Sequence, residues 1–234
     1  MKKISVVVPI YNEYQNLEKF FNNIYNILNG NFEYEIVAVN DGSTDNSLKL
    51  LYKFKNKLQI SIINKVKNEG QSAAFYDGVK YAKFDNIVTI DSDNQNDPKD
   101  IIKISKLYFS DGNYTLVGGI RKKRNDSIMK KISSNLANKI RNFFLKDNCP
   151  DTGCSLKIFN KKIFILFEYF DGMHRFIPAL FKAYKQKTVF VEVNHLHREF
   201  GYSKYGTFDR IVNGIINIYK VKKIIKKNEK LPLL

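Results

Sequence analysis

A chain of 234 residues with 44% hydrophobic content can bury one substantial core, so one domain over residues 1–234 is expected. Its 12 Gly and 5 Pro exclude a fibrous or low-complexity chain, and a formal charge of +16 favours an anionic partner: nucleic acid, lipid headgroups or a phosphorylated substrate. No apolar run approaches the ~18 residues of a membrane span. Met1, Lys2 and Lys3 lead directly into an apolar strand with no leader-like stretch, which predicts a cytoplasmic location. Cys149 and Cys154 lack the companions of a structural zinc site and read as reduced thiols.

In chain order, short β-branched runs predict strands at Ile4–Ile10, Tyr34–Asn40, Leu58–Ile63, Asn86–Ile90 and Tyr114–Val117. Between the first two, Leu17, Phe20, Phe21, Ile24 and Leu28 recur at helical spacing. A second helix is expected from Asp45, behind Gly42-Ser43-Thr44. This alternation predicts an α/β fold, with a mostly parallel sheet flanked by helices. Ligands of such sheets gather at the carboxyl ends of the strands. There the chain is polar: Pro9-Ile10-Tyr11-Asn12-Glu13 after the first strand, Asn40 to Asp45 after the second and Asp91 to Pro98 after the fourth.

Within the last of these, Asp91-x-Asp93-x-Gln95 presents oxygen ligands two residues apart, which suits Mg2+ or Mn2+ together with diphosphate oxygens. Asp97, just before Pro98, reads as a helix cap. Asp41 reads either as a nucleoside ligand or as an Asx turn. The segment Asn68 to Ala74 reads as a helix start whose small residues either face an anion or allow close packing. Arg121 follows the fifth strand on the same edge, and Arg198 and Lys204 lie in a Gly- and Ser-containing loop suited to an anion. His174 and His195 read as orienting or core histidines, Arg175 as a substrate contact, and Phe176, Ile177, Leu180 and Phe181 as core.

These segments resemble family 2 glycosyltransferases of the GT-A fold, especially the polyprenyl-phosphate branch that includes dolichol-phosphate mannosyltransferase. The resemblance rests on residues 6–13, 39–45, 68–74 and 91–98, followed by Gly118-Gly119-Ile120-Arg121, Asp151 to Lys157, His174 to Pro178 and His195-x-x-Arg198-x-x-Gly201-x-Ser203-Lys204-Tyr205. It implies an inverting transferase in which Pro9, Tyr11, Glu13 and Asp41 surround the nucleotide of a nucleotide-sugar donor, while Asp91, Asp93 and Gln95 hold metal and diphosphate. Arg121, Lys130, Ser134, Arg198, Ser203 and Lys204 would handle donor and acceptor phosphates. Lys130 stands where the pattern has arginine, keeping the charge but losing the two-pronged geometry.

A lipid monophosphate is already an anionic nucleophile, so the expected acceptor, a dolichyl or undecaprenyl phosphate, needs no strong base. A sugar-hydroxyl acceptor in surface polysaccharide synthesis would need one, and Asp151 is the candidate, its alternative being a turn residue after Pro150. Ile128, Ile132, Leu136, Ile140 and Phe143 fall at helical spacing among basic residues, as do Ile211, Ile215, Ile218 and Ile225 in a basic amphipathic helix expected at about 207–228. These helices suggest a peripheral position on the cytoplasmic face of a membrane, by surface binding or through a membrane partner subunit. Nucleic acid is not expected, since no motif supports it and the acidic loops would repel phosphates.

Overall fold

The computed structural model describes residues 1–122, 141–200 and 207–228. The first half alternates as expected: β1 (Lys2–Ile10), α1 (Tyr14–Leu28), β2 (Phe32–Asp41), α2 (Ser47–Lys55), β3 (Ile60–Lys65), α3 (Gln71–Tyr81), β4 (Asn86–Thr89), α4 (Asp100–Tyr108) and β5 (Leu116–Arg121). Then follow β6 (Lys157–Asn160), α5 (Lys161–Phe164), a 3-10 turn at Met173–Arg175, α6 (Ile177–Ala183), β7 (Thr188–Val193) and α7 (Thr207–Asn228).

The strands form a seven-stranded sheet in the order β3-β2-β1-β4-β6-β5-β7. β1 pairs in parallel with both β2 and β4, β2 with β3, and β5 with β7, whereas β6 runs antiparallel to β4 and β5. The chain therefore builds outward from β1 through β2 to β3, then returns to place β4 on the other side of β1. Loops leaving β1 and β4 diverge at that reversal, and the crevice between them is where open α/β sheets bind ligands.

Burial on both faces explains the run Val6-Val7-Val8 in β1. Val6 and Val8 join Leu17, Phe20, Phe21 and Ile24 of α1, Leu51 of α2, and Ile101 and Ile104 of α4. Val7 faces the other way, toward Ala74, Phe75 and Val79 of α3 and Leu180 and Phe181 of α6. The expected core role of Phe176, Ile177, Leu180 and Phe181 holds, since each is buried. At Gly78, an added Cβ would stand 2.4 Å from Val7 Cγ1, so only glycine lets α3 approach the sheet this closely.

Three differences from the sequence reading have local causes. α2 begins at Ser47, two residues past Asp45, because Asp45 Oδ1 accepts from the Ser47 amide at 2.9 Å and closes an Asx turn first. β5 runs past Val117 through the two glycines to Arg121, because β7 pairs beside it from Leu116 to Arg121. On α7, Ile218 and Ile225 pack against the core as partly buried residues with Val221, but Ile215 is 63% exposed and belongs to the opposite face. Side chains of residues 207–213, Ile211 included, lie outside the described part, as do residues 123–140 with Ile128, Ile132, Leu136 and Ile140. Cys149 and Cys154 are free and buried, and burial raises each thiol to about 11. No described helix is long and apolar enough to cross a membrane.

Candidate active site

The site is assembled by side chains that tie the strand-end loops together. Asn12, at φ 52°, lies two residues past the end of β1. Its Oδ1 accepts from the Thr44 amide at 2.7 Å, and its backbone N–H donates to Ser43 Oγ at 3.0 Å, so the loops after β1 and β2 form one wall. Tyr11 and Glu13 sit half-buried on it, and Glu13 accepts from Asn16 Nδ2 at 2.6 Å. The Pro9 carbonyl accepts from Ser92 Oγ at 3.1 Å, which joins the β1 end to the acidic loop.

Asp41 is buried, with Oδ1 accepting from the Glu69 amide at 3.0 Å and Oδ2 from the Gly70 amide at 2.8 Å. It therefore fixes the start of α3, a role that the Asx-turn reading did not include. Gly42 is required beside it: its φ is +69° and an added Cβ would lie 2.4 Å from the Lys67 carbonyl carbon.

The acidic loop is pinned from three sides. The Asp91 amide donates to Ser155 Oγ at 3.2 Å, Asn96 Nδ2 donates to the same hydroxyl at 2.9 Å, and Asn94 Nδ2 donates to the Asn16 carbonyl at 3.0 Å. Asp91 Oδ1 accepts from Gln71 Nε2 at 2.7 Å, and Asp93 Oδ1 accepts from the Gln95 amide at 3.1 Å. Asp93 Oδ2 is ion-paired with Arg198. Asp97 Oδ1 accepts from the Lys99 amide at 3.0 Å and closes a turn ahead of α4, but it is not the expected cap: α4 begins at Asp100, and its capping position, Lys99, makes no side-chain capping bond.

Burial, reinforced by the neighbouring charge of Asp93, pushes the Asp91 carboxyl up to about 6, against the opposing pull of Ser155, Lys157 and Arg121. A buried carboxylate beside a second negative charge is the condition that a divalent cation relieves, and Asp91 is in it even though Asp93 is paired with Arg198. Among the described residues no group of three or more His, Cys, Asp or Glu gathers to hold a metal. A cation on Asp91 and Asp93 would thus complete its shell with Gln95, water and substrate oxygens, as Mg2+ sites at phosphates do.

Arg121 and Asp151 form a bidentate pair, Nε to Oδ2 at 2.7 Å and Nη2 to Oδ1 at 2.8 Å, and Oδ2 also accepts from the Arg121 amide at 3.1 Å. The candidate base is thus engaged by a guanidinium. A strap over residues 194–200 crosses the acidic loop: the Asn194 amide donates to Asp100 Oδ2 at 2.6 Å, the Leu196 amide donates to the Gln95 carbonyl at 2.8 Å, and Glu199 pairs with Lys19. Arg198 rides on this strap. Arg175 is half-buried next to His174, on the turn packed against α3. Lys130, Ser134, Ser203 and Lys204 lie outside the described residues.

Sequence reasoning gave no role to Gln71, Ser155 or Lys157, although all three lie inside motifs that it quoted. Lys157 is only 3% exposed and donates to the Cys154 carbonyl, which places a buried ammonium behind Asp91.

His174 is half-buried and hydrogen-bonded, its Nδ1 lying 2.6 Å from Ser72 Oγ and its ring against Phe75. Burial, with the charges of Arg175 and Lys157, holds its imidazole well below the usual range. The fold therefore requires it neutral, whereas the unfolded chain protonates it near pH ~6.5. Stability from this group is complete above that pH and falls as pH drops below it, by up to about 1.4 kcal/mol per unit. Urea unfolding at pH 5.5 and 7.5 checks this: wild type should lose more stability between the two than His174→Gln does.

Residues 5–166 match the glycosyl transferase family 2 profile. The chain belongs to that family and is a glycosyltransferase. Its fold is shared by glucosyl-3-phosphoglycerate synthase from Mycobacterium tuberculosis in complex with Mn2+, uridine diphosphate and phosphoglyceric acid: TM-score 0.71, 15% identity, over 99% of this chain and 80% of that one. The same enzyme with Mg2+ and uridine diphosphate superposes with TM-score 0.73 at 14% identity, over 93% of this chain and 79% of that one. S. aureus TarS 1–349 gives TM-score 0.61 at 15% identity, over 94% of this chain and 65% of that one. The GT-A-type architecture expected from the sequence is thereby established. None of these names points to the polyprenyl-phosphate branch in particular.

Proposed function

We propose that this glycosyltransferase takes a sugar from a nucleotide-sugar donor, with Mg2+ or Mn2+ at Asp91, Asp93 and Gln95, and transfers it to a polyprenyl phosphate. The bound metal supplies positive charge to the departing nucleotide diphosphate. Pro9, Tyr11 and Glu13 would line the nucleotide pocket, with Asp41 at its base, and direct displacement would invert the anomeric centre. Support for metal and donor comes from the elevated Asp91 carboxyl and from the Mn2+-, Mg2+- and uridine diphosphate-bound enzyme that shares this fold.

The observation that carries the choice of acceptor is the pairing of Asp151 with Arg121. A carboxylate held by two guanidinium hydrogen bonds is a poor base. That arrangement suits an acceptor that arrives already ionised. Arg175, Lys130, Ser134, Ser203 and Lys204 are the further proposed acceptor contacts.

A membrane-surface position on the cytoplasmic side fits the same reading, reached by direct binding or through a membrane subunit. α7 exposes Ile215, Ile216 and Tyr219 among Lys220, Lys223, Lys226 and Lys227, and Phe143 is 77% exposed. Lys222 Nζ lies 5.1 Å from the Phe144 ring centre, so these two apolar stretches adjoin. The second reading, transfer to a sugar hydroxyl in polysaccharide synthesis, keeps the same donor site. A fold relative that binds phosphoglyceric acid favours keeping a water-soluble acceptor in view.

The deciding experiment offers labelled nucleotide sugars with polyprenyl phosphate in anionic vesicles, and separately with soluble phosphorylated and oligosaccharide acceptors. Label entering the organic phase is expected. Label found only in water-soluble product would overturn the lipid acceptor while leaving the donor site intact.

A further inference from the structure

The geometry points to Gln71 as a positioning residue that holds Asp91 in the orientation needed to take a divalent cation. This rests on the metal reading above and extends it to a side chain outside the acidic loop. Gln71 is the first residue of α3, and its Nε2 donates to Asp91 Oδ1 at 2.7 Å. An amide suits this position because it donates a hydrogen bond without adding charge, so it orients the carboxylate without competing with a cation. Arg198, on Asp93, is the contrasting case, since a guanidinium there brings its own positive charge.

Contacts on two sides hold Gln71 in place. Asp41 accepts from the Glu69 and Gly70 amides, which sets the chain as it enters α3 through Gly70 at φ 93°. One residue further on, Ser72 Oγ meets His174 Nδ1 at 2.6 Å and accepts from the His174 amide at 3.4 Å, fastening the first turn to the 3-10 turn. The path Asp41, Glu69-Gly70, Gln71, Asp91 thus runs from the proposed nucleotide pocket to the proposed metal ligand through one short stretch of backbone. Outer partners that orient ligating side chains typically change metal affinity by about 10–100-fold when removed.

Mn2+ alone is the probe, with free Mn2+ read by electron paramagnetic resonance against the full chain, for wild type, Gln71→Met, Gln71→Ala and Asp91→Asn. Methionine keeps the length and packing of glutamine but cannot donate. Both Gln71 variants are expected to bind Mn2+ about 10–100-fold more weakly, with the metal-free thermal midpoint unchanged. Wild-type affinity in Gln71→Met, whether or not alanine weakens binding, would reduce Gln71 to packing and overturn the inference. A midpoint that falls in step with affinity would do the same. If wild type and Asp91→Asn bind Mn2+ equally poorly, the metal reading itself fails and the inference falls with it, a pattern distinct from the other two.

Discussion

Asp91→Asn is expected to lower sugar transfer by at least about a thousandfold while leaving the metal-free fold as stable as wild type or more so. A bound cation contributes several kcal/mol of charge stabilisation in the transition state, and each ~1.4 kcal/mol is tenfold in rate. The stability half follows from the carboxyl standing at about 6 in the fold, above its ordinary value. A carboxyl with a raised folded-state value begins to oppose folding as pH climbs past its ordinary unfolded value, near ~3.9, and opposes it fully above about 6, so a neutral amide removes the opposition at pH 7. Asp93→Asn should be equally inactive but less well behaved, because it leaves Arg198 without its ion-pair partner. Transfer assays with and without EDTA, beside thermal unfolding in EDTA, test both halves. Full turnover by Asp91→Asn in EDTA would remove the metal from the mechanism.

The second large effect lies at Asp151, and it separates a structural acid from a catalytic one. Its side chain is 7% exposed and that of Arg121 is 17% exposed, so replacing Asp151 with alanine removes the carboxylate that engages a largely buried guanidinium. Breaking such a pair costs about 3–5 kcal/mol when fully buried, and the partial exposure of Arg121 places the expectation near about 3 kcal/mol. For a chain of this length that corresponds to roughly 6–12 °C in thermal midpoint. Activity should fall along with stability, and the pH dependence of the remaining kcat should keep its wild-type shape, because no proton is handled at Asp151. A variant with unchanged midpoint whose activity is gone, or recovers only at high pH, would instead make Asp151 the base and move the acceptor to a sugar hydroxyl.

The parts legible in the sequence were those encoded by near neighbours. Three β-branched valines and a polar exit are enough to place β1 and its ligand edge, and apolar residues at helical spacing are enough for α1. Asp-x-Asp-x-Gln stood out as a candidate for cation chemistry, because oxygen ligands two residues apart need only a turn to converge. The helix at Thr207–Asn228 was likewise readable from its repeating isoleucines. Its buried face was not, since Ile215 and Ile218 look alike in sequence and only packing on the second core chose between them. β6 went unread because four residues carry almost no periodic signal, and its antiparallel direction depends on neighbours far along the chain.

The sequence by itself determined the family, the α/β alternation through β5, and which strand ends carry acids. The tertiary structure alone decided how those acids are engaged. Arg121 meets Asp151 across 30 residues, Gln71 meets Asp91 across 20, and Arg198 meets Asp93 across 105. The reason is geometric: a charged or amide side chain reaches only a few ångströms beyond its backbone, so its partner is set by strand order and loop path. Those are properties of the closed sheet, with β4 returning beside β1, rather than of any local run of residues.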